Sequence, residues 1–327
     1  MTTILRVRDL SVGLTGRSSI IQVLSNVNLE VEEGEILGVV GESGCGKSTL
    51  VVAVLNLLEL PQMLQAGEVE FIPADGKPQD LLKLTGDALR QFRWRKMAYI
   101  PQGSMNALNP VLRVRKQMIE TLTQHGMAER EADEQVQLAL QMVHLKQDVL
   151  DLYSHELSGG MRQRVIIATA ISMHPVILIA DEPTTALDVV TQRLILQELA
   201  RICRELGITI ILVSHDMGVM AQIADRLAVM YAGRIVEIGA INEVFKSSLH
   251  PYTQELIASI PNQSGEHVEG LAGEAPGPWN YPPGCRFHPR CPSVMEICRQ
   301  QVPPSVEQRP AHWVSCHLFR KEEGSNG

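Results

Sequence analysis

The segment GESGCGKST at residues 41–49 constrains this chain more than any other feature, because it implies a strand, a turn and a helix in fixed order. It follows the apolar run EILGVVG, which predicts a buried strand, and it leads into LVVAVLNLLEL, which predicts an apolar helix. Glycines let the backbone turn successive N–H groups inward, where they can wrap a phosphate. The start of the helix adds a positive dipole at the same place. The segment matches G-x-x-x-x-G-K-[ST] and predicts a phosphate-binding loop.

Each residue of this loop is a candidate for nucleotide contact. Lys47 would neutralise the outer phosphates, and the Ser48 hydroxyl would ligate Mg²⁺. The candidate loop residues are Gly41, Glu42, Ser43, Gly44, Cys45, Gly46, Lys47, Ser48 and Thr49.

The segment VILIADEP, residues 176–183, supplies the acidic groups that hydrolysis of a nucleotide requires. Its apolar residues predict a buried strand that delivers Asp181 to the metal, usually through water. Glu182 follows, and its carboxylate is placed to polarise an attacking water molecule. An acidic pair at a strand end is often structural, but beside an intact phosphate loop the catalytic interpretation is favoured.

Composition excludes several classes of protein. A net charge of −8 argues against a protein that binds nucleic acid through its phosphate backbone. No stretch approaches 18 uncharged apolar residues, so no spanning helix is predicted. The first residues lack the pattern of a secretory signal, and we therefore expect a cytoplasmic protein.

Hydrophobic periodicity predicts the remaining organisation. The alternating segments ILRVRDLSV and SNVNLEVEEGEILGVVG favour strands of an antiparallel subdomain, and residues 118–144 have helical spacing. Helices and strands alternate between residues 165 and 225, as in a parallel sheet with crossover helices. After about residue 249 the chain is rich in Pro and Gly, which predicts a tail with little regular structure.

The segment LSGGM, residues 157–161, resembles the signature motif of the ABC ATPases. Ser158, Gly159 and Gly160 expose N–H groups at the start of a helix, which is a further anion site. In that family the motif faces the ATP held by the opposite subunit, so that two domains enclose two nucleotides. The resemblance covers residues from about 5 to 320.

Three more residues follow in the order of that family. Gln102, in YIPQGSMNALNP, matches the glutamine that touches Mg²⁺ and senses the membrane partner. Asp188, in TTALD, matches the loop that links the two sites across the dimer. His215, in ILVSHD, matches the histidine that contacts the γ-phosphate. The family usually stacks adenine on an early aromatic residue, whereas this chain has Gly13 and Leu14 at that place.

The resemblance implies an α/β fold with a RecA-like core, an antiparallel β subdomain and a helical subdomain at about residues 103–165. We expect this ATPase domain to span residues 1–248, and an irregular, cysteine-bearing extension to span residues 249–327. The segment HPYTQELIASIP, residues 250–261, resembles the dipeptide and oligopeptide importers, a group that includes nickel importers.

LSGGM resembles the D-type ATPase subunit of those importers. The resemblance implies a second, F-type ATPase subunit, two transmembrane permease subunits and, indirectly, an extracytoplasmic solute-binding protein. It also implies a peripheral position on the cytoplasmic face of the cell membrane. The alternative is an ABC ATPase that acts as a soluble switch or scaffold without transport.

Four cysteines lie near the end of the chain: Cys285, Cys291, Cys298 and Cys316. They lack the closely spaced pair that structural zinc sites favour, and disulfides are uncommon in the cytosol. Four thiolates are what an iron–sulfur cluster needs, and some importer ATPases with a similar tail carry a [4Fe–4S] cluster. Zinc, or no metal, remains open as an alternative.

Overall fold

The computed structural model describes residues 2–16, 19–74, 76–185, 187–260 and 273–320. The chain divides into two compact units. The first unit is made of Met1–Thr3, Glu32–Ile36 and Lys83–Val213, and the second of Ile4–Val31, Leu37–Leu82 and Ser214–Gly327. We call residues 249–260 and 273–320, which belong to the second unit, the C-terminal segment.

The strands are β1 (Thr3–Thr15), β2 (Ile20–Glu32), β3 (Ile36–Val40), β4 (Gln62–Phe71), β5 (Gln79–Asp80), β6 (Met97–Ile100), β7 (Ile177–Asp181), β8 (Thr209–Val213), β9 (Arg226–Tyr231), β10 (Arg234–Ala240), β11 (Val306–Arg309) and β12 (His312–Val314). The helices are α1 (Lys47–Val54), α2 (Gly86–Phe92), α3 (Val114–Gln124), α4 (Glu129–Met142), α5 (Gly159–Ile171), α6 (Val189–Leu206), α7 (Met217–Ile223), α8 (Ile241–Ser247), α9 (Pro251–Ala258) and α10 (Glu296–Gln300).

The second unit contains the predicted antiparallel subdomain, a four-stranded sheet in the order β2-β1-β4-β5. Apolar residues of β1 and β4 face each other across the ladder, for example Leu5 with Phe71 and Val7 with Val69. All four side chains are buried. The alternating pattern at the start of the chain therefore predicted β1 and β2 correctly, because a sheet with one buried face requires an apolar residue at every second position.

A second set of strands in this unit carries the phosphate loop. β3 pairs parallel with β9, and β9 pairs antiparallel with β10. Every residue of β3 is buried, which confirms the buried strand predicted from EILGVVG. The chain leaves β3 at residue 41 and enters α1 at Lys47.

The first unit is built on the parallel strands β6, β7 and β8, which pair in that order. Every residue of β7 and β8 is buried, as expected for parallel strands covered on both faces. The long helices α5 and α6 precede and follow β7. The alternation of helices and strands predicted in this region is confirmed.

The helical stretch predicted over residues 118–144 is two helices, α3 and α4. Gly126 separates them with a φ of 86°, a left-handed conformation that ends the first helix at low steric cost. Their buried residues, among them Met118, Leu122, Val136 and Leu140, recur at helical spacing. The periodicity was therefore right, and only the break was missed.

The prediction of an irregular tail after residue 249 is wrong in part. Residues 251–258 form α9, because the His250 side chain accepts a hydrogen bond from the Tyr252 N–H and Pro251 occupies the first turn. Further along, β12 pairs antiparallel with β10, and β11 pairs with β12. Residues 261–272 and 321–327 lie outside the described residues. Among the residues that the structure describes, no helix is long and apolar enough to cross a membrane.

Candidate nucleotide site

The predicted phosphate loop lies in the second unit, between β3 and α1. Gly41, Gly44 and Gly46 have φ of 151°, 79° and 105°, a region that glycine adopts without steric cost. At Gly41 a Cβ atom would lie 2.2 Å from the carbonyl oxygen of Met230, so no larger residue fits there. The glycine pattern of the sequence is therefore a requirement of this turn.

Lys47 is buried, and its ammonium group lies within the loop. Its Nζ donates to the carbonyl oxygens of Gly41, at 2.7 Å, and Glu42, at 3.0 Å. The loop thus closes around a fixed positive charge, which is the arrangement that binds the outer phosphates of a nucleotide. The Ser48 side chain follows on α1 and is exposed. Of the other predicted residues, Ser43 and Cys45 lie on the same turn and Thr49 lies on α1.

The acidic pair lies in the first unit at the carboxyl end of β7. Asp181 ends this strand and is 1% exposed. Glu182 has a φ of 43°, which is uncommon for a residue with a side chain. Its Oε2 accepts a hydrogen bond from Nε2 of Gln102 at 3.2 Å, and the Thr185 hydroxyl donates to its carbonyl oxygen at 2.9 Å. The fold therefore brings the predicted glutamine directly to the predicted base.

The LSGGM segment forms the start of α5 in the same unit. The Ser158 Oγ accepts a hydrogen bond from the Met161 N–H at 3.3 Å and caps the helix. A Cβ atom at Gly159 would lie 2.9 Å from Cδ2 of Leu187. The Leu187 side chain therefore packs closely against the start of α5, and Ser158 itself is exposed.

Asp188 caps the neighbouring helix α6. Its carboxylate accepts hydrogen bonds from the Thr191 N–H, at 3.0 Å, and from the Thr191 hydroxyl, at 2.6 Å. These two hydrogen bonds lower the pKa of Asp188. A Cβ atom at Gly160 would contact the Thr191 side chain at 3.6 Å, so the starts of α5 and α6 lie side by side. The predicted signature residues and Asp188 thus form one surface.

His215 belongs to the second unit and is exposed. Its neighbours on both sides hold the turn before α7: the Ser214 Oγ accepts from the Asp216 N–H at 3.0 Å, and Asp216 caps α7 through the Val219 N–H at 3.0 Å. The histidine therefore lies on a turn that is held by hydrogen bonds on both sides. Its contact with a γ-phosphate remains a prediction.

Position 13, where the family usually has an aromatic residue nearby, lies close to the neighbouring strand in the second unit. A Cβ atom at Gly13 would lie 2.3 Å from Cγ2 of Ile20 on the neighbouring strand β2. The Ile20 side chain is 50% exposed. A residue larger than glycine at position 13 would therefore require the Ile20 side chain to move.

The four C-terminal cysteines have free thiols and lie close enough for their charges to interact. The pKa of Cys316 is raised to about 11, mainly by burial and to a smaller extent by the charges of Cys285, Cys291 and Cys298. The Cys285 N–H also donates to the Cys298 carbonyl oxygen at 2.8 Å. Within the described ranges, however, no group of three or more His, Cys, Asp or Glu could hold a metal ion. The predicted iron–sulfur site therefore receives no support from this arrangement.

Two residues that contact the phosphate loop were not identified from the sequence. The Tyr252 hydroxyl and the Arg290 guanidinium, both in the C-terminal segment, bind Glu42. The one available signal was Glu42 itself, because a carboxylate within a phosphate loop requires a compensating cation nearby.

Comparison with known families agrees with this arrangement. Residues 24–185 match the family model described as ABC transporter. Residues 236–298 match the model described as oligopeptide/dipeptide transporter, C-terminal region.

The chain is similar to named proteins over nearly its full length. It is 40% identical to the dipeptide transport ATP-binding protein DppD of Caldanaerobacter subterraneus, covering 99% of each chain. It is 37% identical to the oligopeptide transport ATP-binding protein AppD of Bacillus subtilis, covering 98% of each. It is 38% identical to DppD of Haemophilus influenzae, covering 98% of this chain and 97% of that protein.

Solved structures are also similar. The dimeric ATP-binding cassette MJ0796 in its post-hydrolysis state with ADP and phosphate is 29% identical, with a TM-score of 0.62 over 72% of this chain and 98% of that one. The cbiO1 chain of Clostridium perfringens is 28% identical, with a TM-score of 0.63 over 76% of this chain and 92% of that one.

Proposed function

This chain belongs to the family of ATP-binding subunits of dipeptide and oligopeptide ABC importers, and from that premise we propose how its residues power uptake. The protein hydrolyses ATP and drives the import of small peptides through transmembrane permease subunits. The observation that carries the ATPase function is the loop at residues 41–49, in which left-handed glycines close around the buried ammonium of Lys47. The alternative of a switch without transport is disfavoured, because the similar proteins named above are transport subunits.

The phosphate contacts come from Lys47 and from the N–H groups of the loop. Ser48 and Gln102 would hold Mg²⁺, with Asp181 acting through water. When bound, Mg²⁺ neutralises charge that develops on the transferred phosphoryl group. These residues suit the ion because all of them offer oxygen donors, the ligands that Mg²⁺ prefers.

Hydrolysis itself is assigned to Glu182, which accepts a proton from the attacking water, and to His215, which contacts the γ-phosphate. The hydrogen bond from Gln102 supports this role for Glu182, because it orients one carboxylate oxygen of the proposed base.

The partner ATPase is proposed to be an F-type subunit that receives the surface formed by Ser158, Gly159, Gly160 and Asp188. An interface at this surface is supported by exposed apolar side chains on the first two turns of α6, which begins directly after Asp188. Val189, Val190 and Leu194 are 71%, 70% and 56% exposed, and apolar side chains grouped in this way mark interaction surfaces.

The assembly would place this chain peripherally on the cytoplasmic face of the membrane, beneath two permease subunits and, indirectly, an extracytoplasmic solute-binding protein. Co-purification from detergent extracts tests the assembly. We expect two membrane proteins and a second ATPase chain to accompany this one. Recovery of this chain as a homodimer bound to permeases would refute the F-type partner, and recovery without permeases would refute the importer assembly.

Uptake of a labelled dipeptide into proteoliposomes tests the function directly. The purified assembly should take up the peptide only with ATP and binding protein, and the E182Q variant should stop it. Uptake that persists in E182Q would overturn the catalytic assignment. ATP hydrolysis without any peptide uptake would overturn the cargo assignment.

We also propose that the extension at residues 249–327 carries a [4Fe–4S] cluster held by Cys285, Cys291, Cys298 and Cys316. The proposal rests on the chemistry of the donors, because four thiolates are the ligands that such a cluster takes. A half-buried cation supports it: Arg234 interacts electrostatically with Cys285, and its Nε atom is buried without a hydrogen-bond partner. Such a cation would offset the negative charge of a thiolate-bound cluster.

Measuring the iron, zinc and acid-labile sulfide content of anaerobically purified protein tests the proposed cluster. We expect iron and sulfide in equal amounts, lost in C291S and retained in C203S, which removes a buried cysteine of α6. Zinc, no metal, or iron that persists in C291S would refute the cluster.

A further inference from the structure

Glu42 lies inside the phosphate loop, yet its side chain and its backbone are both held by the C-terminal segment. Oε2 of Glu42 accepts a hydrogen bond from Nη1 of Arg290 at 2.7 Å, and Oε1 accepts one from Nη2 at 3.1 Å. The Glu42 N–H donates to the Tyr252 hydroxyl at 2.9 Å. Two residues more than 200 positions away thus determine where the phosphate loop begins.

Arg290 is itself held firmly. Its side chain is 6% exposed, against 25% for that of Glu42. The guanidinium carbon lies 5.8 Å from the centre of the Tyr231 ring and 5.9 Å from that of Phe287. Tyr231 and Tyr252 pack with ring centres 4.6 Å apart. An aromatic cluster therefore fixes both groups that hold Glu42.

The charge of Glu42 gives this contact a consequence for nucleotide binding. A carboxylate in the loop that wraps the phosphates repels them unless a cation offsets it, and partial burial strengthens the repulsion. The two-point contact with a guanidinium cancels the charge and fixes the carboxylate direction. Lys47 binds the backbone carbonyl oxygen of Glu42, whereas Arg290 binds its side-chain carboxylate.

We propose that Arg290, assisted by Tyr252, is a positioning residue of the nucleotide site, through which the C-terminal segment sets the affinity of the phosphate loop for ATP. The inference rests on the proposed role of residues 41–49 in phosphate binding. It assigns to the C-terminal segment a function within the ATPase cycle, separate from any metal that its cysteines hold.

The test compares three full-length variants by equilibrium binding of radiolabelled ATP and ADP in EDTA, where hydrolysis is suppressed. In R290Q the uncompensated Glu42 should weaken ATP binding about tenfold, and should weaken ADP binding less because ADP carries less charge. In R290Q/E42Q the repelling charge is gone, so ATP affinity should return close to that of the parent chain. R299Q is the matched control, since Arg299 is an exposed arginine of the same segment paired with Glu296, and it should bind normally.

The outcomes separate this inference from the proposed function. A purely structural role of Arg290 would weaken ATP and ADP binding equally and would not be rescued by E42Q, and this result would overturn the proposal. Unchanged ATP affinity in R290Q would overturn it as well. If K47A also bound ATP normally, the phosphate-loop assignment itself would fail. The double variant keeps a neutral hydrogen-bonding pair, so it remains informative even if R290Q folds poorly.

Discussion

At the scale of single residues, the site depends on backbone conformations that few side chains tolerate. Three loop glycines have positive φ, and Glu182 adopts a φ of 43° although it carries a side chain. Such residues persist where their surroundings hold them. Here the Thr185 hydroxyl and the Gln102 amide both bind Glu182. The carboxylate is therefore oriented before any nucleotide arrives.

The first prediction concerns this carboxylate. E182Q keeps the size of the side chain and one acceptor oxygen but cannot accept a proton, so hydrolysis should fall about 10²- to 10⁴-fold while ATP binding persists. Phosphate release and equilibrium nucleotide binding measure the two effects. E205Q is a suitable control, because Glu205 is an exposed residue near the end of α6. Parent-like hydrolysis in E182Q would exclude Glu182 as the base.

At the scale of elements, α9 shows how a buried polar network starts a helix. The Glu237 carboxylate on β10 accepts hydrogen bonds from the N–H groups of Leu249 and His250, at 2.8 and 2.9 Å. Nδ1 of His250 in turn accepts from the Tyr252 N–H at 3.0 Å. Because this nitrogen accepts, the imidazole must be neutral, and burial lowers the pKa of His250 to about 4.

A pH dependence follows from this cap. In the unfolded chain His250 would titrate near pH 6.5. Between pH 6.5 and about 4 the unfolded state therefore binds a proton at His250, whereas the folded state does not. The free energy of unfolding should therefore fall by up to about 1.4 kcal/mol per pH unit from pH 6.5 down towards 4. Urea unfolding at a series of pH values measures this slope. H250N keeps an acceptor at the cap but cannot titrate, and its slope should be shallower; an identical slope would exclude His250 as the source.

At the scale of the whole molecule, the C-terminal segment is part of the core of the second unit. Phe287 is 1% exposed and packs against Tyr231 and Tyr252, with ring centres 5.2 and 5.5 Å away. β12 extends the ladder of β10. Removal of this segment would therefore uncover buried aromatic surface next to the phosphate loop.

The third prediction measures that contribution. F287A should lower the free energy of unfolding by about 3–5 kcal/mol, because a large cavity is left among fixed aromatic rings. Urea unfolding of the full-length chain provides the value. W279A serves as the control, since Trp279 belongs to the same segment and is 78% exposed, and its change should be small. Equal effects of the two substitutions would mean that the segment is not integrated with the core.

Part of the architecture followed directly from local sequence patterns. The buried strand β3, the glycine loop and the alternating strands β1 and β2 were predicted correctly, because each depends on residues that are neighbours in the sequence. The break between α3 and α4 and the order within the C-terminal segment were missed. A single Gly126 carries little signal by itself, and Pro- and Gly-rich stretches acquire structure only from what they pack against.

The sequence by itself determined the chemistry of this protein: a phosphate loop, an acidic pair and a signature segment are recognisable because backbone sterics and charge act over a few residues. Only the tertiary structure decided which distant groups complete the site. Gln102 and Glu182 were both named from the sequence, but the hydrogen bond between them across 80 positions was not, and the contact of Arg290 with Glu42 across 248 positions was missed. Such pairs result from the packing of the whole core, which residue spacing does not encode.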